Sequence, residues 1–289
     1  MSSSPISNTK LTSADFRAKK ERGESITMLT AYDFLTARAV DHSGIDSILV
    51  GDSLGMVILG YENTLPVTME DMLHHCKAVA RGALKTLLIG DMPFMSYQVN
   101  PSEALRNAGR FLQEAGMDAV KLEGGRERLE AVQAIIGSGI PVLGHLGLTP
   151  QSVNLLGGFK AQGKIASDAG NILIDALALE KAGCFGIVLE SIPARLAEYI
   201  SNRLTIPTIG IGAGPGCDGQ VLVTHDLLGM FDKFTPKFVK QYKVLHQEIN
   251  QALQEFKSDV EGGEFPGQEH SFSMPDQEWQ QFLDQAGES

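Results

Sequence analysis

Eight short apolar runs recur along this chain, and most are followed by an amphipathic segment that stops at glycine. The runs span 26–30, 47–50, 87–89, 119–122, 141–143, 186–189 and 207–211, with a weaker one at 221–224. They are apolar at successive positions, as strands buried on both faces must be. Between them, Thr68 followed by Asp71 reads as an N-cap with an acidic third residue, opening a helix that ends near Gly82. Similar segments run from Ser102 to Gly116, from Arg126 to Gly137 or Gly139, and from Asp168 to Gly183. A glycine just past a helix supplies the left-handed residue that ends it at little cost. Strand and helix in alternation mean parallel βα units with right-handed crossovers.

Two architectures fit that rhythm, an open doubly wound sheet and a closed barrel. The first would place a glycine-rich dinucleotide fingerprint after the first strand, where this chain has Ala31-Tyr32-Asp33-Phe34. No linker rich in Pro, Gly or Ser divides the chain. The expectation is α/β: a single TIM-type (βα)8 barrel over residues 26–257, preceded by a helical segment (1–25) and followed by a tail (258–289). A helix from Ser13 to Arg22 would plug the bottom of the barrel. Residues 235–257, with Phe238, Tyr242, Leu245, Ile249 and Leu253 at helical spacing, read as the closing helix. Residues 153–167 are too Gly-rich for a helix and long for a βα loop, so they read as a lid.

Charge narrows the partners. Lys plus Arg number 24 and Asp plus Glu 35, for a net charge of −11. Eight of those acids, and no Lys or Arg, lie in 258–289, so the acidity belongs to the tail. This balance argues against nucleic acid or an anionic membrane as the main partner. Cys76, Cys184 and Cys217 are far apart, with no metal or redox spacing, and read as reduced thiols. The polar first ten residues carry no apolar leader core, and no apolar run approaches the ~18 residues of a spanning helix. A cytoplasmic protein is expected.

In a βα barrel, chemistry is built where the strands end. The second run ends in Asp52-Ser53 and the third in Gly90-Asp91, the fourth gives Lys121-Leu122-Glu123, the fifth Gly144-His145, and the sixth Glu190-Ser191. Four acids at seven clear strand exits is far more than random placement of 35 acids in 289 residues supplies. Each alone could merely cap a following helix. As a set, Asp52, Asp91 and Glu123 leave consecutive strands and could share one hard divalent cation such as Mg²⁺. Lys121 lies two residues before Glu123, so both face the same way; it pairs with the carboxylates or binds a substrate oxygen. His145 is either a satisfied structural histidine or a proton carrier. Glu190, between an apolar run and Ile192-Pro193, reads as a partly desolvated acid or base. The adjacent His74, His75 and Cys76 diverge around a helix and read as ordinary helix surface. The turn Gly210-Ile211-Gly212-Ala213-Gly214 reads as a close backbone approach to a ligand.

Taken in order, these motifs closely resemble the ketopantoate hydroxymethyltransferase family: Val50-Gly51-Asp52-Ser53-Leu54-Gly55, Gly90-Asp91-Met92-Pro93-Phe94, Lys121-Leu122-Glu123-Gly124, Gly144-His145-Leu146-Gly147-Leu148-Thr149-Pro150, Leu189-Glu190 and Ile209 to Gly214. Phe159-Lys160-Ala161-Gln162-Gly163 is similar too, and the resemblance extends from about Thr30 to Phe272. It implies a barrel of the phosphoenolpyruvate/pyruvate superfamily. It also implies hydroxymethyl transfer from 5,10-methylenetetrahydrofolate to 3-methyl-2-oxobutanoate, on the way to pantothenate and coenzyme A. By matching motif, Asp52, Asp91 and Glu123 would belong to a Mg²⁺ site. Asp52, Ser53, Asp91 and Lys121 would lie against the keto acid, and Glu190 would be the proton acceptor, with Lys121 and His145 completing the catalytic set. Family members assemble into homo-oligomers, commonly decamers.

Two other readings compete. A lyase or mutase on the same scaffold would use similar acids, but usually with a reactive Cys in a mobile loop, and none of the three Cys sits in such a motif. A barrel kept only for binding would have lost its polar strand ends, which are intact here.

Overall fold

A computed structural model describes residues 9–287. Eight parallel strands close on themselves in chain order: β1 (Ile26–Thr30), β2 (Ser47–Val50), β3 (Leu87–Asp91), β4 (Ala119–Glu123), β5 (Val142–Gly147), β6 (Gly186–Glu190), β7 (Thr208–Ile211) and β8 (Gly219–Leu222). The helices are α1 (Ser13–Arg22), α2 (Phe34–His42), α3 (Leu54–Val57), α4 (Met69–Gly82), α5 (Pro101–Ala115), α6 (Leu129–Gly137), α7 (Val153–Leu156), α8 (Ala166–Ala182), α9 (Ala194–Ser201), α10 (Thr224–Leu227), α11 (Leu245–Gly262) and α12 (Asp276–Ala286).

Period-two alternation sorts each strand. One set of residues packs inside the barrel: Ile26 and Met28, Leu49, Leu87 and Ile89, Ala119, Leu143, Val188, Ile209 and Val221. The other set, with Val50, Leu88, Val120, Leu122, Val142, Ile187 and Leu189, packs against the surrounding helices. The inward series in β3 runs Leu87, Ile89, Asp91, and in β4 it runs Ala119, Lys121, Glu123. An apolar lower layer therefore passes into a polar upper layer within single strands. Phe16 of α1 is buried in the interior cluster and meets Phe185 edge-on at 5.9 Å between ring centres, so α1 is the expected plug.

The start signals of α4 and α5 work as the sequence suggests. Thr68 and Asp71 cap each other's backbone, and Asn100 caps α5 ahead of Pro101. Four strands run further than their apolar runs, so Asp91, Glu123, His145 and Glu190 are strand residues rather than loop residues. The eighth strand lies two residues earlier than the run at 221–224. Residues 153–167 are not wholly irregular, since α7 forms before the glycine pair and α8 begins at Ala166. The helix expected over 235–257 is displaced: it starts at Leu245, and no helix covers 235–244. The apolar spacing there is met differently, because Phe238 lines a cavity of the barrel.

The chain divides into two compact units, one ending at Gln241 and one beginning at Tyr242. The second holds α11 and α12, neither of which buries a residue. Within it, Phe256 and Phe265 contact edge-on and Trp279 stacks on Phe282. Residues 1–8, on which the expected absence of a leader partly rests, lie outside the described residues. No described helix is long and apolar enough to cross a membrane.

Candidate active site

The polar upper layer opens into a cavity of about 440 Å³. Asp52, Ser53, Asp91, Lys121, Glu123, His145 and Glu190 all line it, so every residue singled out from the sequence for catalysis, substrate or metal reaches one wall. Strand register explains their contacts. Asp91 lies beside Lys121 across β3 and β4, and Glu123 lies beside His145 across β4 and β5. Lys121 Nζ donates to both Asp91 oxygens, at 2.7 and 2.8 Å. Asp91 Oδ2 also accepts the Asp52 amide at 3.2 Å.

Gln151 follows β5 in a single 3-10 turn and ties the carboxylates together. Its Nε2 donates to Asp52 Oδ2 (3.0 Å) and to the Met92 carbonyl (2.9 Å), and its backbone N–H donates to Glu123 Oε2 (3.0 Å). Tyr97 OH donates to Gln151 Oε1 at 2.7 Å and accepts the Glu123 amide at 3.2 Å. On the other side of the mouth, Tyr32 shares a 2.8 Å hydroxyl contact with Ser53. Gln151, Tyr97 and Tyr32 did not emerge from the sequence. The last two had weak signals, as aromatic hydroxyls soon after strand ends; Gln151 had none beyond its place next to Thr149-Pro150.

His145 sits between two carboxylates, with Nδ1 3.5 Å from Glu123 Oε1 and Nε2 3.1 Å from Glu190 Oε2. Neither contact is aligned as a hydrogen bond, so these are ion-pair contacts and Glu123 Oε1 is left buried without a hydrogen-bond partner. Burial disfavours the imidazolium and the Lys121 charge adds to that, yet Glu123 and Glu190 outweigh both and hold His145 up at about 9. Burial also works against the Lys121 ammonium, but Asp91, Glu123 and Asp52 raise its pKa above the ordinary lysine value. Asp52 is pushed well above the usual carboxylate range, first by burial and then by the charges of Asp91 and Glu123. Burial raises Tyr32 as well, so its phenol stays protonated.

Other sequence candidates resolve differently. His75 is more than helix surface, since its Nδ1 lies 2.6 Å from the Tyr32 carbonyl. In the glycine turn after β7, Gly212 (φ 64°) leaves room for the Phe238 ring and Gly214 (φ 76°) for Ala194. Those glycines admit neighbouring side chains, and Phe238 itself faces the cavity. Ser191, directly after Glu190, adopts a left-handed φ of 48°, an unusual backbone for a serine.

The sequence profile described as ketopantoate hydroxymethyltransferase matches residues 10–268. A 3-methyl-2-oxobutanoate hydroxymethyltransferase of Syntrophus aciditrophicus is 59% identical over 263 residues, covering 91% of this chain and 97% of that one. The enzyme of the same name from Acetivibrio thermocellus is 56% identical, covering 93% and 95%. Among solved structures, a phosphoenolpyruvate phosphomutase from Streptomyces platensis aligns with a TM-score of 0.60 at 16% identity, covering 96% of each chain. A 2,3-dimethylmalate lyase of the PEP mutase/isocitrate lyase superfamily aligns with a TM-score of 0.60 at 17% identity and the same coverage. These structural likenesses establish the barrel type.

Proposed function

This chain belongs to the ketopantoate hydroxymethyltransferase family and carries its activity, hydroxymethyl transfer to 3-methyl-2-oxobutanoate; from that premise we propose how the barrel mouth performs it. The donor in this reading is 5,10-methylenetetrahydrofolate. A Mg²⁺ ion would be held by Asp52, Asp91 and Glu123. Three features support the fit: an all-oxygen donor set, the buried Glu123 Oε1 without a partner, and the excess negative charge that raises Asp52. Among the described residues no three His, Cys, Asp or Glu side chains stand drawn together around a metal position. When bound, the cation supplies Lewis-acid charge to the oxygens of the keto acid.

The chain's own groups do the rest. Lys121 brings a buried ammonium to the wall where negative charge develops on the keto oxygen. Ser53, oriented by Tyr32, offers a hydroxyl to the substrate carboxylate. Glu190 takes the C3 proton; the C3–H electron pair moves into an enolate, whose carbon then attacks the one-carbon unit of the donor. His145 stands between Glu123 and Glu190, and its Nε2, 3.1 Å from Glu190 Oε2, holds that carboxylate in place. The reading includes a cytoplasmic setting, which the three free cysteines support. It also includes assembly with further copies, a decamer by family resemblance, supported by the exposed Ile249, Leu253, Phe256 and Val260 of α11.

The observation that carries this reading is the meeting of Asp52, Asp91, Lys121, Glu123, His145 and Glu190 on one cavity wall. The test incubates purified protein with 3-methyl-2-oxobutanoate and methylenetetrahydrofolate, with and without Mg²⁺, and scores ketopantoate by mass spectrometry. Product that depends on both folate and Mg²⁺ is expected; undiminished product after chelation would overturn the metal assignment.

A further inference from the structure

The cavity has more room than a small keto acid fills, and charged groups are not all that lines it. Phe231, Phe234 and Phe238 line it too, and so does Asp226, all from the segment after β8. Phe231 and Phe234 stand edge-to-face at 5.7 Å between ring centres. Asp226 lies in α10, directly after β8, and closure of the barrel sets β8 beside β1. The Thr224 amide donates to Thr30 Oγ1 at 3.0 Å and fixes α10 to the end of β1. Tyr32, which contacts Ser53, feels the charges of both Asp226 and Asp52, so Asp226 and the Ser53 end of the cavity are electrostatically linked.

The Asp226 carboxylate has no hydrogen bond or ion pair among the described residues. Lys237 lines the same cavity without pairing with it. His225 is held low by burial, so it offers no cation. Burial alone raises Asp226 to about 6. A half-buried carboxylate without a partner is a cost to the fold unless a ligand supplies the missing donors. The aromatic side chains that line the same cavity call for a flat ring.

We propose that Asp226 binds the reduced pterin of the one-carbon donor, accepting its N3–H and 2-amino protons, with the ring set against Phe231, Phe234 and Phe238. The 2-amino-4-oxo edge presents two parallel N–H donors, the pattern a carboxylate accepts bidentately from a guanidinium. Ring stacking supplies area, and the carboxylate supplies orientation and selectivity. This assignment rests on the folate reading above and adds the residue that recognises the donor.

The experiment compares wild type with Asp226→Asn and Asp226→Ala. Tetrahydrofolate affinity is read by calorimetry, and exchange of the C3 proton of 3-methyl-2-oxobutanoate, which needs no folate, is followed by NMR. Loss of a charge-assisted bidentate contact should weaken tetrahydrofolate binding about 10- to 100-fold. C3 exchange and the KM for the keto acid should stay near wild type, which also shows that the variants fold. Wild type should prefer tetrahydrofolate over its 2-desamino-2-methyl analogue, and that preference should collapse in Asp226→Asn. Equal tetrahydrofolate affinity in variant and wild type, or a retained preference, would overturn the proposal. A wild type that exchanges the C3 proton but binds no tetrahydrofolate would instead overturn the folate reading.

Discussion

Lys121 Nζ lies within 2.8 Å of both carboxylate oxygens of Asp91, and both side chains are almost wholly out of solvent. Neighbouring strand register makes this pair, since Asp91 and Lys121 are the inward residues at one level of β3 and β4. Desolvation makes such a pair costly to build, and a buried pair is weak evidence of added stability. Its value here is positional: the ammonium is held at the cavity wall, under the charges of Asp91, Glu123 and Asp52.

Removing only the cation should therefore be severe. Lys121→Met leaves Asp91 without its counter-charge beside Asp52, and breaking a buried pair from one side costs about 3–5 kcal/mol. Urea denaturation should show that loss, and the double variant Lys121→Met with Asp91→Asn should recover most of it. A double variant as unstable as the single one would mean that Lys121 stabilises the fold through packing.

Much of the barrel was legible because its signals are local. Strands apolar on both faces and helices stopped by glycine need no knowledge of distant partners, and the plug at Ser13–Arg22 followed from a helix preceding the first strand. The acids at the strand ends were legible for a similar reason, as period-two alternation sends Lys121 and Glu123 inward together. Gln151, Tyr97 and Asp226 were not legible. Their roles exist only because loops after different strands fold over one mouth, and Gln151 contacts residues from three other segments. The closing helix was misplaced at its start because Phe238 has the right helical spacing, and nothing local says that it turns into the cavity instead.

Asp226 should also leave a mark on stability. Its folded pKa is raised to about 6 from 3.8. Its contribution is then fully present below the unfolded value and is lost as pH rises through about 6. Asp226→Asn should melt level with wild type at about pH 4 and above it at about pH 7.5. Thermal melts across that range, without folate, check this; a variant less stable at neutral pH would mean that the carboxylate has a partner in the fold.

Residues 273–289 should be dispensable for chemistry. Phe272 is fully exposed, and α12 buries none of its residues. Truncation after Phe272 should leave kcat within about twofold of wild type, since exposed termini add little to a core. Activity lost while the quaternary state stays intact, checked by light scattering, would show that the segment serves the active site.

Glu190 should separate proton transfer from metal binding. It ends β6, whereas Asp52, Asp91 and Glu123 come from β2 to β4, so it faces the cavity from the opposite arc of the barrel. Among the described residues its ionic neighbour is His145, which in turn touches Glu123, so an imidazole joins the two halves of the site. Glu190→Gln keeps the shape and cannot take a proton. Loss of a positioned base costs about 10²–10⁴-fold in rate, and C3 exchange should fall by that much. Mg²⁺ affinity, measured by calorimetry, should stay near wild type because no proposed ligand is altered. Near-normal exchange in Glu190→Gln would move the base to His145, which could act only once a bound cation at Glu123 drew that carboxylate away and let the imidazole lose its proton. The pH dependence of exchange in that variant would then follow the imidazole, and exchange independent of it would exclude His145 as well as Glu190.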